Sequence, residues 1–193
     1  MKENYTIFKN FKLLSVSQGL TGKMTGMPAV TSSMLCNENC KKLTQISGSV
    51  CEKCYTRKYL SSRPNTERCY RENTTLLSSS IIPKNQLPFI NAAYCRLETF
   101  GDITNATHLQ NYINLIKKNN HCIFSLFTKN YTVVFDYFKT HKQPKNLSIV
   151  ISSLLLNQPF DIAKIGNLEL ENLKIFTVYT KNKTPVFIAE LLK

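Results

Sequence analysis

Four cysteines fall within nineteen residues, Cys36, Cys40, Cys51 and Cys54, in the run CNENCKKLTQISGSVCEKC with gaps of three, ten and two residues. Thiolates are soft ligands that suit zinc or an iron-sulfur cluster, and two close pairs joined by a loop can converge on one centre. Spacing alone leaves both metals open. Zinc would close a tetrahedral site that staples a polar loop, whereas a four-iron cubane would use the same four thiolates over a wider span. Three further cysteines lie outside the run. Cys95 and Cys122 sit in apolar stretches, where a thiol packs as a small hydrophobe, while Cys69 on a predicted helix is available as a substitute ligand.

A second group of reactive side chains surrounds the end of a predicted strand at Leu97. Alternation along that strand puts Tyr94, Arg96 and Glu98 on one face and Cys95 and Leu97 on the other. Arg96 and Glu98 are expected either to line a ligand cavity near the metal or to satisfy each other, and Asp102 or Thr104 either joins that site or caps a helix beginning near Asn105. Lys129, at the end of a later strand, is a candidate anion contact. His108, His121 and His141 lack paired ligand spacing, and His108 is expected on a helix surface. No Ser/His/Asp order, phosphate loop or paired-carboxylate motif supports a hydrolase or kinase.

The elements that must position these residues follow from hydrophobic period. Residues 1 to 26 read as a strand or hairpin lead-in, and Met27 to Met34 as a strand that delivers Cys36 at its end. The other cysteines then occupy a polar loop containing Gly48, followed by helices over 52–60 and 65–77. Beyond Leu87 strands at 89–97, 121–127, 147–156 and 174–180 alternate with helices. One of those helices carries Leu109, Tyr112, Ile113 and Ile116 at the spacing of a buried face, a second runs from Tyr131 to Phe138, and a short piece spans Asp161 to Ile165. Val186 to Leu191 is a candidate final strand. Strands joined by short helical crossovers predict an α/β fold, either a partial (β/α) barrel or an open, mainly parallel sheet, with a cysteine-rich metal-binding segment toward its N-terminus. Ligands in such folds gather at the C-terminal ends of the strands.

With 193 residues, 42% of them hydrophobic, the chain reads as one domain over 1–193: lead-in 1–26, metal-binding strand, loop and helices 27–80, and strand-helix repeats 87–193. The cysteine count is odd and no signal-peptide pattern opens the sequence, so disulfides are not expected and the chain reads as soluble, intracellular and cytoplasmic. The longest apolar run, Ile149 to Leu156, is interrupted by Ser152 and Ser153 and is too short to span a bilayer, which excludes a membrane partner of that kind.

Lys and Arg number 25 against 12 Asp and Glu, a formal charge of +13. The expected partner is anionic: nucleic acid, an acidic protein surface, a phosphorylated ligand or the thiolate cluster itself. Most basic residues are scattered, as on a solvated surface decorated by Lys and Asn. Lys41, Lys42, Lys53, Arg57 and Lys58, in contrast, crowd the cysteine segment.

The run GKMTGMPAVTSSMLC, then CEKCY, RLETFGDI and the strand end LFTKN resemble the phage gene product 88 domain over most of residues 20 to 155. The resemblance implies a reduced scaffold like that of radical S-adenosylmethionine enzymes in a bacterial or phage-infected cell. It favours a [4Fe-4S] cluster on Cys36, Cys40, Cys51 and Cys54, with a redox or structural role. Arg96, Glu98, Asp102 and Lys129 would then contact a cofactor. Such enzymes usually use three cysteines in a compact run and leave one iron open to S-adenosylmethionine. Here a fourth cysteine could saturate the cluster. Two alternatives therefore stand beside the four-thiolate protein: a radical enzyme with an open iron, and a zinc-stapled nucleic-acid-binding module.

Overall fold

The computed structural model describes residues 13–18, 25–166 and 168–180, so the candidate strand at Val186 to Leu191 and most of the N-terminal lead-in lie outside the described residues. Five parallel strands form one sheet in the order β1-β2-β3-β4-β5: β1 Ala29–Val30, β2 Tyr94–Leu97, β3 Ile123–Thr128, β4 Leu147–Ser152 and β5 Leu173–Phe176. The register runs Arg96 to Ala29 and to Ser125, Phe127 to Val150, and Ser152 to Phe176. The α/β fold and its parallel sheet are as the alternating pattern predicts.

Between the strands run α1 Glu38–Thr44, α2 Tyr55–Ser61, α3 Pro64–Ser79, α4 Ala106–Lys118 and α5 Tyr131–Phe138, with a short 3-10 turn at Ile162–Ile165. Pro64 starts α3 because a helix's first residue needs no N–H partner. The β1-to-β2 connection is the longest and holds all four clustered cysteines. Two sequence expectations differ here. The first strand is only two residues long, and the first half of the cysteine loop is helical: Asn37 caps α1 by accepting from the Cys40 N–H at 3.2 Å.

The two faces of the sheet have separate duties. Cys95 and Leu97 of β2, Phe124 and Leu126 of β3, and Leu147, Ile149 and Ile151 of β4 join the α4 residues Leu109, Tyr112, Ile113 and Ile116 in one buried core, with Leu77 of α3 and Val134 of α5. Arg96, Phe127 and Ser152 alternate onto the other face, which borders a cavity. A smaller core of Met34, Leu60 and Tyr70 supports the cysteine segment, with Cys40, Cys54, Cys69 and Phe100 packed against it.

Asparagine is not merely surface decoration. Asn37, Asn73, Asn111 and Asn119 are fully buried. Asn111 donates to the carbonyls of Leu77 and Ser80, both at 2.8 Å, and accepts from the Ile82 N–H at 2.8 Å, satisfying backbone groups left unpaired where α3 ends. Asn119 does the same for Pro88, Leu115 and Ile90. A side-chain amide supplies both donor and acceptor, so one residue closes a buried turn. Among the described residues no helix is long and apolar enough to cross a membrane.

Candidate metal and ligand site

The C-terminal ends of β2, β3, β4 and β5 meet the cysteine segment around a cavity of about 510 Å³. The segment is fastened over the sheet from the far side: Val50 donates to the Leu154 carbonyl at 2.9 Å and Ser49 bridges Leu155 just beyond β4. Cys40, Cys51 and Cys54 line the cavity together. Cys36 is not among its lining residues, and its thiol lies 3.7 Å from the Ser33 carbonyl. Three of the four predicted cysteines thus line one cavity, without Cys36, and Cys69 packs against the small core together with Cys40 and Cys54. Among the described residues no three His, Cys, Asp or Glu side chains stand close enough to grip a single metal ion. What the three thiols share is a space larger than one ion.

Burial pushes the Cys40 thiol well up, reinforced by the charges of Asp102 and Glu98 and by Cys51 and Cys54. Burial also raises Cys51, against the opposing pull of Lys129. Three soft thiols thus border a largely apolar cavity that is open on one side. Cys95 and Cys122 lie in the sheet-helix core as expected, and burial lifts Cys95 to about 12.

All four predicted ligand contacts, Arg96, Glu98, Asp102 and Lys129, line this cavity, but they divide by environment. Glu98 has a positive φ of 59°, which breaks the strand alternation and turns its carboxylate downward. There it accepts from the Tyr112 hydroxyl at 2.6 Å and from the Ser32 hydroxyl at 2.8 Å and N–H at 3.2 Å. His108 completes the network. Its Nδ1 faces the Thr104 N–H at 3.2 Å and therefore acts as acceptor, leaving the proton on Nε2, which lies 3.1 Å from Glu98 Oε1. This contact falls short of hydrogen-bond alignment, and Nε2 has no other partner among the described residues. Burial opposes ionisation of Glu98, but His108, Tyr112 and Ser32 together outweigh it and hold the carboxyl below its ordinary value.

Asp102 is likewise occupied. Its carboxylate accepts from the Thr128 hydroxyl, from the Ile103 N–H at 2.8 Å and from the Lys129 N–H at 2.9 Å, tying the end of β2 to the end of β3. Burial raises its pKa in spite of those bonds. Neither Asp102 nor Thr104 caps α4; Asn105 does, accepting from the His108 N–H at 2.9 Å. Gly101 is needed at this turn because a Cβ there would lie 2.1 Å from Ser32 Oγ and 2.6 Å from the Ser32 carbonyl.

Arg96 and Lys129 remain for a ligand. The Arg96 guanidinium lies 4.1 Å over the Phe127 ring, half-buried, and its Nε has no hydrogen-bond partner among the described residues. Burial lowers its pKa, while Tyr55 works the other way. Lys129 lies within the field of both Cys51 and Asp102. Phe100, stacked on Tyr59 at 4.8 Å and Tyr70 at 5.5 Å, forms an aromatic wall.

Sequence reasoning missed Ser32, His108, Tyr112 and Thr128, the supports of the two carboxylates. His108 is buried at the core edge, contrary to the expected surface position, because Thr104 and Glu98 give both ring nitrogens a polar neighbour. The signal available was Thr31-Ser32-Ser33 directly after an apolar pair, three hydroxyls where the chain is about to be buried.

A family model described as Gene product 88 matches residues 6–186. No curated protein and no solved structure matches this chain significantly.

Proposed function

The chain belongs to the Gene product 88 family, and from that membership and the site's geometry we propose that it is an iron-sulfur protein of radical S-adenosylmethionine-like design. In this reading Cys40, Cys51 and Cys54 hold the cluster and Cys36 stands outside it. The observation that carries the reading is that these three thiols, and not the fourth, open onto one cavity that Arg96 and Lys129 also line. Held by Cys40, Cys51 and Cys54, a four-iron cluster would supply low-potential electron transfer and one iron without a protein ligand.

The chain's own residues then have distinct tasks. Arg96 and Lys129 would fix the anionic end of a ligand, and the phenyl faces of Phe100 and Phe127 would exclude water from its flat or apolar part. Arg96 suits a carboxylate because its planar fork is held against Phe127 before any ligand arrives. Glu98 and Asp102 act as positioning residues: the first anchors the turn beneath the cavity, and the second sets the backbone of Lys129. S-adenosylmethionine, with a carboxylate and an adenine ring, meets these requirements.

The test is anaerobic reconstitution with iron and sulfide, followed by metal and acid-labile sulfide analysis and electron paramagnetic resonance of the reduced protein with and without S-adenosylmethionine. About four irons and four sulfides per chain are expected, with a cluster signal that changes on adding the cofactor. Stoichiometric zinc without sulfide would overturn the cluster. A signal indifferent to S-adenosylmethionine would support a saturated cluster on all four cysteines.

A further inference from the structure

The cavity does not open onto a neutral surface. Two grooves adjoin it across α1 and α2: one is lined by Thr44, Cys51, Lys53, Tyr55, Arg57 and Lys58, the next by Met34, Lys41, Thr44, Gln45 and Arg57. They share Thr44 and Arg57, and the first shares Cys51, Lys53, Cys54 and Tyr55 with the cavity itself. The result is a continuous track from Lys41 past Arg57, Lys58 and Lys53 to Arg96 and Lys129. Glu52 is the one carboxylate lining the two grooves among the described residues, and it is engaged with the Gly48 N–H at 2.8 Å. Lys41 is paired with Glu38 at 2.7 Å, an exposed pair that a stronger anion can displace.

Where the track enters the cavity stands Tyr55, a large aromatic ring left 69% exposed. Tyr55 and Arg96 both line the cavity. A file of cations bordered by an exposed aromatic face is how proteins hold single-stranded nucleic acid: phosphates follow the charge and a base stacks on the ring. An acidic protein would use the cations but leave the ring without a flat partner. We propose that the grooves over α1 and α2 bind single-stranded nucleic acid, with a base stacked on Tyr55 at the cavity mouth. The inference names the substrate class of the site proposed above and rests on that reading for what happens inside the cavity; the docking stands on the grooves alone.

The experiment uses the full chain and fluorescence anisotropy with labelled 20-nucleotide single-stranded DNA and RNA of one sequence, over a salt series. The four cations that line the grooves, Lys41, Lys53, Arg57 and Lys58, give an expected slope of about −3 for log affinity against log salt, from roughly 0.7 per neutralised phosphate. Reversing two charges in Arg57→Glu/Lys58→Glu should weaken binding by about tenfold or more, since two phosphates are then repelled where they had been held, and Tyr55→Ala should weaken it about tenfold. Lys145→Glu, before β4 at the opposite ends of the strands, should change affinity less than about twofold. The DNA and RNA arms decide which nucleic acid is preferred. Circular dichroism identifies any variant that fails to fold, and for the double variant Arg57→Gln/Lys58→Gln then gives the same reading.

No anisotropy change at low salt overturns the proposal, as does equal weakening by Lys145→Glu. Displacement by poly-glutamate as effective as by unlabelled oligonucleotide assigns the track to an acidic protein instead. Iron and sulfide measured on the same preparations separate the two readings: binding without a cluster removes only the cluster, and a cluster without binding removes only the nucleic acid.

Discussion

Arg96 and Glu98 stand two positions apart at the end of β2 and do not pair. The Arg96 guanidinium stays on the cavity side over Phe127, whereas the positive φ at Glu98 turns its carboxylate down to Ser32, Tyr112 and His108. The consequence is a cation at the cavity, free of Glu98, next to an anion wholly consumed by the fold. A salt bridge between them would have left the cavity without its anion-binding group.

Glu98→Gln tests the buried network. It keeps the shape and removes the charge, so unfolding at neutral pH should cost less by about 1.5–3 kcal/mol, the range for hydrogen bonds to a charged group. The sign with pH follows from the lowered carboxyl: its stabilisation is present above the ordinary value of 4.5 and is lost as pH falls through the lower folded value. Asp102, raised by burial, acts oppositely, since the folded state holds that proton more firmly and stability falls as pH rises above 3.8. Urea unfolding from pH 3 to 7 should therefore show the gap between wild type and variant shrinking on acidification. A constant gap would mean that Glu98 acts through packing alone.

Gly101→Ala should destabilise the chain by about 1–3 kcal/mol, the usual range for forced overpacking. The added methyl would meet Ser32 Oγ at 2.1 Å and the Ser32 backbone at 2.6 Å, and the backbone cannot rotate away. Thermal unfolding measures it, and an unchanged midpoint would show that the turn can open without cost.

Replacing the cysteines one at a time distinguishes three ligands from four. Cys40→Ala, Cys51→Ala and Cys54→Ala should each lose most of the iron and sulfide after reconstitution, while Cys36→Ala keeps them, because only the first three thiols line the cavity. Loss in Cys36→Ala as well would place its sulfur on the cluster.

Arg96→Met keeps an unbranched chain against Phe127 and removes the cation. Unfolding should change by less than about 1 kcal/mol, a cation over an aromatic ring at a partly exposed site contributing no more than that. Affinity of the reconstituted protein for S-adenosylmethionine, measured by equilibrium dialysis, should drop about tenfold, the effect of removing one charge-assisted hydrogen bond. Unchanged affinity would make Arg96 a packing residue.

The α4 stripe of Leu109, Tyr112, Ile113 and Ile116, the strands at Cys95, Phe124 and Ile149, and the parallel order were legible because hydrophobic period is a local property of the chain. The cysteine spacing likewise singled out a segment of which Cys40, Cys51 and Cys54 line one cavity, and the strand-end position of Arg96, Glu98, Asp102 and Lys129 marked the same cavity. How those residues are used was decided by the tertiary structure. Cys36 precedes Cys40 by only four positions, yet its thiol is absent from the cavity lining, while Cys51 and Cys54 come to it from across a ten-residue gap. The fate of Glu98 depends on Ser32, 66 residues away, and that of Asp102 on Thr128, 26 residues away. Such pairings have no period and leave no local pattern. They exist only once the sheet has brought the ends of three strands together, and a buried carboxylate must then take whatever donors that closure supplies.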